Sequence, residues 1–395
     1  MQISPETQLF IREHSSDDVR VLALQAKKYP DIDMPTAITQ IAGRKVAAEK
    51  IPSWWEIEKI WYPKHLSLEQ CSSEITARYK ARLLQGDSLT DLTGGFGIDC
   101  SFLATGFKSA TYVERQEELC EIAAHNFPVL NLNHINIKNE DGVTYLQAMS
   151  PVDCLFLDPA RRNEHGGKTV AISDCEPNVA ELEELLLQKA NRVMIKLSPM
   201  LDLSLALKEL KQTQEVHILS VNNECKELLI LLGQTSPAEI SIHCVNLFTK
   251  GTQKEQHFVF TREQEQCSEC TYTDSLETYL YEPNASLLKA GAFRSIAAAY
   301  PVRKLHPNSH LYTSDTFIEN FPGRIFRIVN QCSFNKKEVK ENLADLKKAN
   351  VTVRNFPATV AELRKRIHLA EGGDTYLFAS TLNNGQKVLI RCEKV

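Results

Sequence analysis

Asp91-Leu-Thr-Gly-Gly-Phe-Gly97-Ile-Asp99 joins a leading acid to a glycine turn, Gly95-x-Gly97, with the apolar pair Phe102 and Leu103 directly behind. Glycine alone lets backbone approach a ligand closely or take positive φ without a Cβ clash. A glycine turn between a strand and a helix N-terminus therefore reads as a site for a nucleotide-like ligand. A lone Gly-x-Gly has low specificity, so the residues that follow decide the fold.

Residues 110–113 (Ala-Thr-Tyr-Val) form a second strand-like run, and Glu114 stands at its carboxyl end, twenty-three residues after Asp91. An acid at that place can accept hydrogen bonds from both ribose hydroxyls. An amphipathic helix carrying Leu119, Ile122, Ala123 and Asn126 on one face comes next. A third run, residues 134–137, leads into Asn139-Glu-Asp-Gly142, and a fourth, residues 152–157, runs into Asp158-Pro-Ala-Arg-Arg162. Four acid-tipped strand ends in one βαβ series predict an open α/β sheet with its ligand edge at the strand carboxyl ends.

This order resembles the class I S-adenosylmethionine-dependent methyltransferases over about residues 70–232. The resemblance implies that Asp91, Thr93, Gly95 and Gly97 cradle the methionine part of S-adenosylmethionine, with Glu114 at the ribose and Asp141 at the adenine. It also implies that Ser73 and Thr76, at the start of the helix before the first strand, lie near the cofactor carboxylate. Asp158 and Pro159 match the family's catalytic Asp/Asn-Pro-Pro-aromatic loop. Thr93 stands where the family commonly has glycine, a variation shared with some RNA methyltransferases. Ala160 and Arg161 replace the second proline and the aromatic that stacks on a target base. Across the whole chain the sequence is similar to a bacterial group of THUMP-like-domain methyltransferases. The matching stretches are Ser67-x-x-x-Cys71-Ser-Ser-Glu74-x-Thr76-Ala-x-Tyr79-Lys80, Asp91 to Gly97, Asp158-Pro-Ala-Arg161, Lys196-Leu-Ser-Pro-Met200 and Tyr281-Glu-Pro283.

For methyl transfer, an in-line displacement, the residues to expect are ones that position and deprotonate an acceptor. Asp158 is the candidate to orient or deprotonate it, with Arg161 beside it as a catalytic-loop residue. Arg161 and Arg162 could hold a substrate phosphate bidentately, or pair with Glu164 or Asp174 and shape the loop. His165 and Lys196 are weaker candidates. A nicotinamide dehydrogenase would also use Glu114, but Cys100 stands where the third glycine of Gly-x-Gly-x-x-Gly belongs.

With 395 residues, 43% hydrophobic and 24% charged, the chain reads as an ordinary globular protein of two to three domains. No apolar run approaches the roughly 20 residues of a spanning helix, and no secretory signal is visible, which gives a cytoplasmic expectation without membrane contact. Of eleven cysteines only Cys267-Ser-Glu-Cys270 has ligand-like spacing, and nothing completes it, so no metal is expected. The net charge of −5 divides unevenly: residues 322–395 hold fourteen Lys/Arg against seven Asp/Glu. A basic end on an acidic body points to structured RNA as partner, reached through that lobe.

The expected architecture is α/β: a Rossmann-like seven-stranded methyltransferase sheet with an N-terminal helical region and a small C-terminal α/β lobe, ferredoxin-like or THUMP-like. The boundaries read as 1–85 helical, 86–235 methyltransferase, 236–322 a hairpin and connecting ferredoxin-like region, and 323–395 the basic THUMP-like lobe. Trp54, Trp55 and Trp61 read as anchors of the helical region on the sheet domain, with a base-stacking surface as the alternative. Asn383-Asn-Gly385 predicts a turn between the last two strands. The leading function is methylation of tRNA or rRNA. The alternatives are methylation of a protein or small molecule, and non-catalytic RNA binding on a methyltransferase fold.

Overall fold

The computed structural model describes residues 3–161, 171–235 and 237–395, with the side chains of 65–67 and 161 outside that set. Two compact units divide the chain: Met1–Gln214 with Leu228–Pro237, and Glu215–Glu227 with Ala238–Val395.

In the first unit, β1 (Ser88–Asp91), β2 (Ser109–Glu114), β3 (Ile135–Asn139), β4 (Val152–Leu157) and β5 (Ala190–Leu197) are parallel, in the spatial order β3-β2-β1-β4-β5. Residues 154–157 and 193–197 are apolar apart from Lys196 and are buried throughout, as strands covered on both faces must be. The chain winds outward from β1 to β3 and returns to β4 on the other side of β1. That reversal makes a topological switch point at the carboxyl ends of β1 and β4, the place where open α/β sheets take ligands. Strands β6 (Thr213–Val221) and β7 (Glu224–Gly233) straddle the division between the units, and residues 228–233 of β7 run antiparallel to β5.

The N-terminal helices belong to this same unit. Asp18 caps the helix Val19–Leu24 by accepting from the Arg20 N–H at 2.8 Å. Trp54 is buried and meets the Phe96 ring edge-on at 5.2 Å, inside a cluster that includes Ile51, Tyr62, Ile98 and Ile122. Burying each such side chain stabilises by about 1.5–3 kcal/mol, so the helical region is fastened directly onto the glycine turn. Asn126, fully buried on the helix Glu117–Val129, exchanges two hydrogen bonds with the Trp61 backbone, at 2.9 and 2.8 Å. Trp61 itself stacks on His125 at 3.7 Å. Trp54 and Trp61 thus act as anchors, while Trp55 is exposed.

In the second unit, β8 (Ser241–Leu247) pairs antiparallel with β9 (Glu255–Thr261), the expected hairpin, and parallel with residues 215–221 of β6. A separate seven-stranded sheet has the order β11-β12-β10-β13-β16-β15-β14. Its strands are β10 (Tyr279–Pro283), β11 (Arg303–Lys304), β12 (Tyr312–Ser314), β13 (Gly323–Ser333), β14 (Lys348–Val353), β15 (Ala370–Thr381) and β16 (Lys387–Lys394). Residues 279–283 form a strand, and Asn284 caps the following helix Ala285–Ala290. The expected boundary at 323 falls on β13, which is hydrogen-bonded to β10 on one side and β16 on the other. Tyr281-Glu282-Pro283 is structural: the Tyr281 hydroxyl donates to the Thr316 carbonyl at 2.6 Å, and buried Glu282 pairs with Arg324 and Arg354. The helix Lys336–Leu343 carries Lys336, Lys337 and Lys340. Lys347 and Lys348 follow its end, and Lys348 starts β14.

Candidate functional site

β1 ends in Asp91, whose carboxyl is buried; burial pushes its pKa up to about 8, against the Thr93 N–H that donates to it at 3.0 Å. The turn then passes under β2. The Gly94 N–H donates to the Val113 carbonyl at 2.8 Å, and a Cβ on Gly94 would fall 2.3 Å from the Tyr112 ring, so any side chain there would have to displace that ring. Gly95 has φ +54°, and a Cβ built on it would meet nothing nearer than the Thr93 carbonyl at 3.8 Å. That side of the turn is open, as a ligand cradle requires. Gly97 precedes the helix Ile98–Leu103 as its N-cap.

Glu114 stands at the end of β2, its side chain fixed from both sides. One oxygen accepts from the Gly95 N–H at 2.9 Å and the other from the Gln116 N–H at 2.8 Å. An ionised carboxylate offers about four acceptor sites, so both oxygens keep capacity for ribose hydroxyls while the backbone holds their orientation. Asp141 caps the helix Gly142–Ala148, one oxygen accepting from the Val143 and Thr144 N–H groups, both at 3.0 Å. Its place beyond β3 is the one expected, and capping fixes its rotamer.

Thr93 contributes a contact that a glycine would lack: its hydroxyl accepts from the Asp158 N–H at 2.6 Å, tying the first strand's turn to the fourth strand's exit. Pro159 follows, and Ala160–Arg161 forms a two-residue ladder with Cys175–Glu176. The Arg161 side chain, Arg162 and the loop with His165 lie outside the described residues.

Behind Asp158 is a buried charge network that the sequence reading did not assemble. Lys196, at the end of β5, approaches Asp158 at 2.6 Å and Asp99 at 3.1 Å. Lys80, fully buried on the helix Glu74–Ala81, pairs with Asp99 at 2.8 Å. The Ser72 hydroxyl donates to Asp99 at 2.7 Å and accepts from Lys80 at 2.7 Å and Lys196 at 3.0 Å. Burial alone would raise the Asp99 pKa; Lys196 and Lys80 outweigh it and hold the carboxyl well below its ordinary range. Asp158 keeps 37% of its side chain exposed. Desolvation pushes its pKa up, and Lys196 opposes the rise. The result is an anchored carboxylate with one side toward the protein's buried cations and a solvent-facing side able to meet an acceptor.

Ser73 and Thr76 are placed differently from Ser72. Their hydroxyls lie 3.2 Å apart, and Thr76 donates to the Ser73 carbonyl at 3.0 Å, a local turn contact at the helix start. Lys80 could have been found from periodicity: it shares the inward helix face with Thr76 and Ala77, three and four residues away. Among the described residues no helix is long and apolar enough to cross a membrane, and none of the eleven cysteines is in a disulfide.

Two family descriptions match the second unit: a ferredoxin-like domain over residues 279–322 and a THUMP domain-like region over 323–394. No curated protein sequence matches the chain. A crystal structure described as a "putative methyltransferase from Porphyromonas gingivalis W83" is 34% identical, covers 100% of both chains and superposes with a TM-score of 0.88. An rRNA methylase from Streptococcus thermophilus is 14% identical, matches 40% of this chain and 93% of its own, and has a TM-score of 0.29. A Streptococcus mutans protein solved with SAH is 13% identical over 40% of this chain and 96% of its own, with a TM-score of 0.30. Similarity at that level carries no functional argument.

Proposed function

The chain belongs to the bacterial family of methyltransferases with a THUMP-like domain, and we propose that it methylates RNA with S-adenosylmethionine as methyl donor. The observation that carries the donor assignment is the convergence at one sheet edge of buried Asp91, the open face of Gly95, the backbone-anchored Glu114 and Asp158. The residues fit the group: the turn offers an uncrowded concavity, and Glu114 offers two oriented oxygens for a diol. S-adenosylmethionine supplies an activated methyl group, whose carbon–sulfur bond breaks as the acceptor atom bonds to carbon.

The chain's own contribution is placement and proton control. Glu114 and Asp141 would hold the ribose and adenine ends, and Asp91 with Gly95 the methionine end. Asp158 accepts a hydrogen bond from the acceptor N–H or O–H and takes its proton as the new bond forms. The Thr93 hydroxyl and Lys196 keep that carboxylate from swinging away, and Lys80 and Asp99 keep Lys196 in place. General-base assistance of this kind is worth about 10²–10⁴ in rate.

RNA as the acceptor rests on the THUMP domain-like match at residues 323–394 and on the seven surplus positive charges of residues 322–395. Free thiols suit the reducing cytoplasm as the setting. Calorimetry of the full chain with S-adenosylmethionine or its demethylated product should give one site, weakened at least tenfold in Glu114→Gln. Binding of NADH in place of both would overturn the donor assignment. Mass spectrometry of total RNA from a deletion strain should show one methyl mark lost; an unchanged profile would move the acceptor to a protein or small molecule.

A further inference from the structure

Remote in sequence from the strand-edge residues, three strands of the second unit bring imidazoles onto one sheet face. β6 and β8 are parallel, with His217 directly opposite His243. β8 and β9 are antiparallel, with His243 opposite Val259, so His257, two residues from Val259, points to the same side. Glu215, two residues before His217, shares that face as well. Among the described residues, Glu215, His217 and His243 form a group whose ligand atoms all lie within 4.8 Å of one another. His257 extends it: its Nε2 is 3.1 Å from the His243 Nδ1.

We propose that Glu215, His217, His243 and His257 form a binding site for one divalent transition-metal cation of the zinc class, clipping β6, β8 and β9 together. The geometry suits the ion. Nitrogen and oxygen ligands about 2.0–2.2 Å from zinc stand roughly 3.3 Å apart at a tetrahedral angle. The two close pairs are at that spacing already: His217 Nε2 to Glu215 Oε2 at 3.2 Å, and His243 Nδ1 to His257 Nε2 at 3.1 Å. The His217 and His243 rings stack at 4.3 Å, which aligns the two pairs side by side. Burial grades across the site, from buried His217 through half-buried Glu215 and His243 to exposed His257, so the ion has an entry path.

The chemistry of the donors agrees. Three borderline imidazole donors beside one carboxylate favour zinc over magnesium or calcium. Four protein ligands leave no open position, which marks a structural rather than a catalytic ion. Sequence spacing conceals the site, because its ligands come from three strands and its successive histidines are 26 and 14 positions apart. The inference does not rest on the methyltransferase reading.

The test uses the full chain, purified without a polyhistidine tag and stripped with chelator, titrated with zinc and separately with cobalt. One zinc per chain should bind at micromolar or lower concentration, and cobalt should give the visible absorption of a tetrahedral N/O site. His243→Asn and the exposed His257→Gln should each weaken zinc at least tenfold, while the Cys267→Ser/Cys270→Ser double variant binds normally. Zinc should also raise the thermal midpoint of the wild type and leave that of His243→Asn unchanged. Absence of stoichiometric zinc, or zinc binding that survives both histidine changes and disappears with the cysteine pair, overturns the proposal. His257→Gln keeps the test decisive should a more buried variant misfold.

Discussion

The two units handle charge in opposite ways. At the strand edge of the first, Lys80, Asp99 and Lys196 are buried and matched two cations to two carboxylates through Ser72 and Asp158. In the second, Lys336, Lys337, Lys340, Lys347, Lys348 and Lys365 are exposed. Arg327 and Arg391 there pair with Glu393 and Asp345, both at 2.9 Å, so these lysines make up most of the positive surplus. Buried pairs cost desolvation and repay it through fixed geometry. Exposed charges fix no geometry but create a field that salt screens within about 10 Å. On the proposed function, the first region places a proton acceptor and the second attracts a polyanion.

Removing a member of the network should therefore act on chemistry or folding, and removing a surface lysine on encounter. The largest effect is expected for Asp158→Ala: turnover falls about a thousandfold, or about 4 kcal/mol, with cofactor affinity nearly unchanged. Single-turnover kinetics beside calorimetry separates the two, and wild-type turnover would reduce Asp158 to a turn residue. Lys80→Ala removes one of the two cations that compensate buried Asp99, so denaturant unfolding should show a loss of about 3 kcal/mol. A loss under 1 kcal/mol would mean that Asp99 is served by Lys196 and Ser72 alone.

Asp91 gives a pH-dependent effect with a definite sign. In the folded chain it keeps its proton up to about pH 8; unfolded, it releases it near pH 4. The native state binds the extra proton between those values, so stability from this group is lost as pH rises through that window. Asp91→Asn, which keeps an oxygen for the Thr93 N–H, should become the more stable protein as pH goes from 5 to 8. A pH-independent difference between the two would contradict the raised pKa. The smallest effect belongs to the lobe. Lys336→Glu with Lys340→Glu should flatten the salt dependence of RNA binding by about one unit of slope per lost phosphate contact, with cofactor binding untouched. Charge reversal is the right instrument, because deleting residues from 323 onward would strip β13 from β10.

Much of the strand-edge site was legible in sequence because chain order and sheet order are linked in βαβ winding. Asp91, Glu114 and Asp158 could each be assigned to a strand end from the apolar run before it. Lys80 and Ser72 could not be joined to Lys196, because the network closes only when a helix before β1 packs near the ends of β4 and β5. The extent of β15 was also hidden: Ala370-Glu-Gly-Gly-Asp-Thr375 is polar and glycine-rich, which reads as loop, yet it continues the strand. The alternating runs of β8 and β9 and the strand β6 were visible, but the pairing of β6 with β8, and hence the shared histidine face, was not. The run of lysines from 336 to 348 suggested one helix, which Leu343 ends.

The interruption of the first unit between residues 214 and 228 bears on how the protein is made. A ribosome releases β5 well before the leucine-rich Leu228–Leu232 that covers its open edge. Until then the nascent sheet presents an unsatisfied ladder beside apolar side chains, the kind of surface that chaperones hold and that aggregation exploits. A gene fragment stopping at residue 214 would make that transient exposure permanent. The first unit, although it carries the whole strand-edge site, is therefore not a portable module, and the closing strand is as necessary to its solubility as any residue of its core.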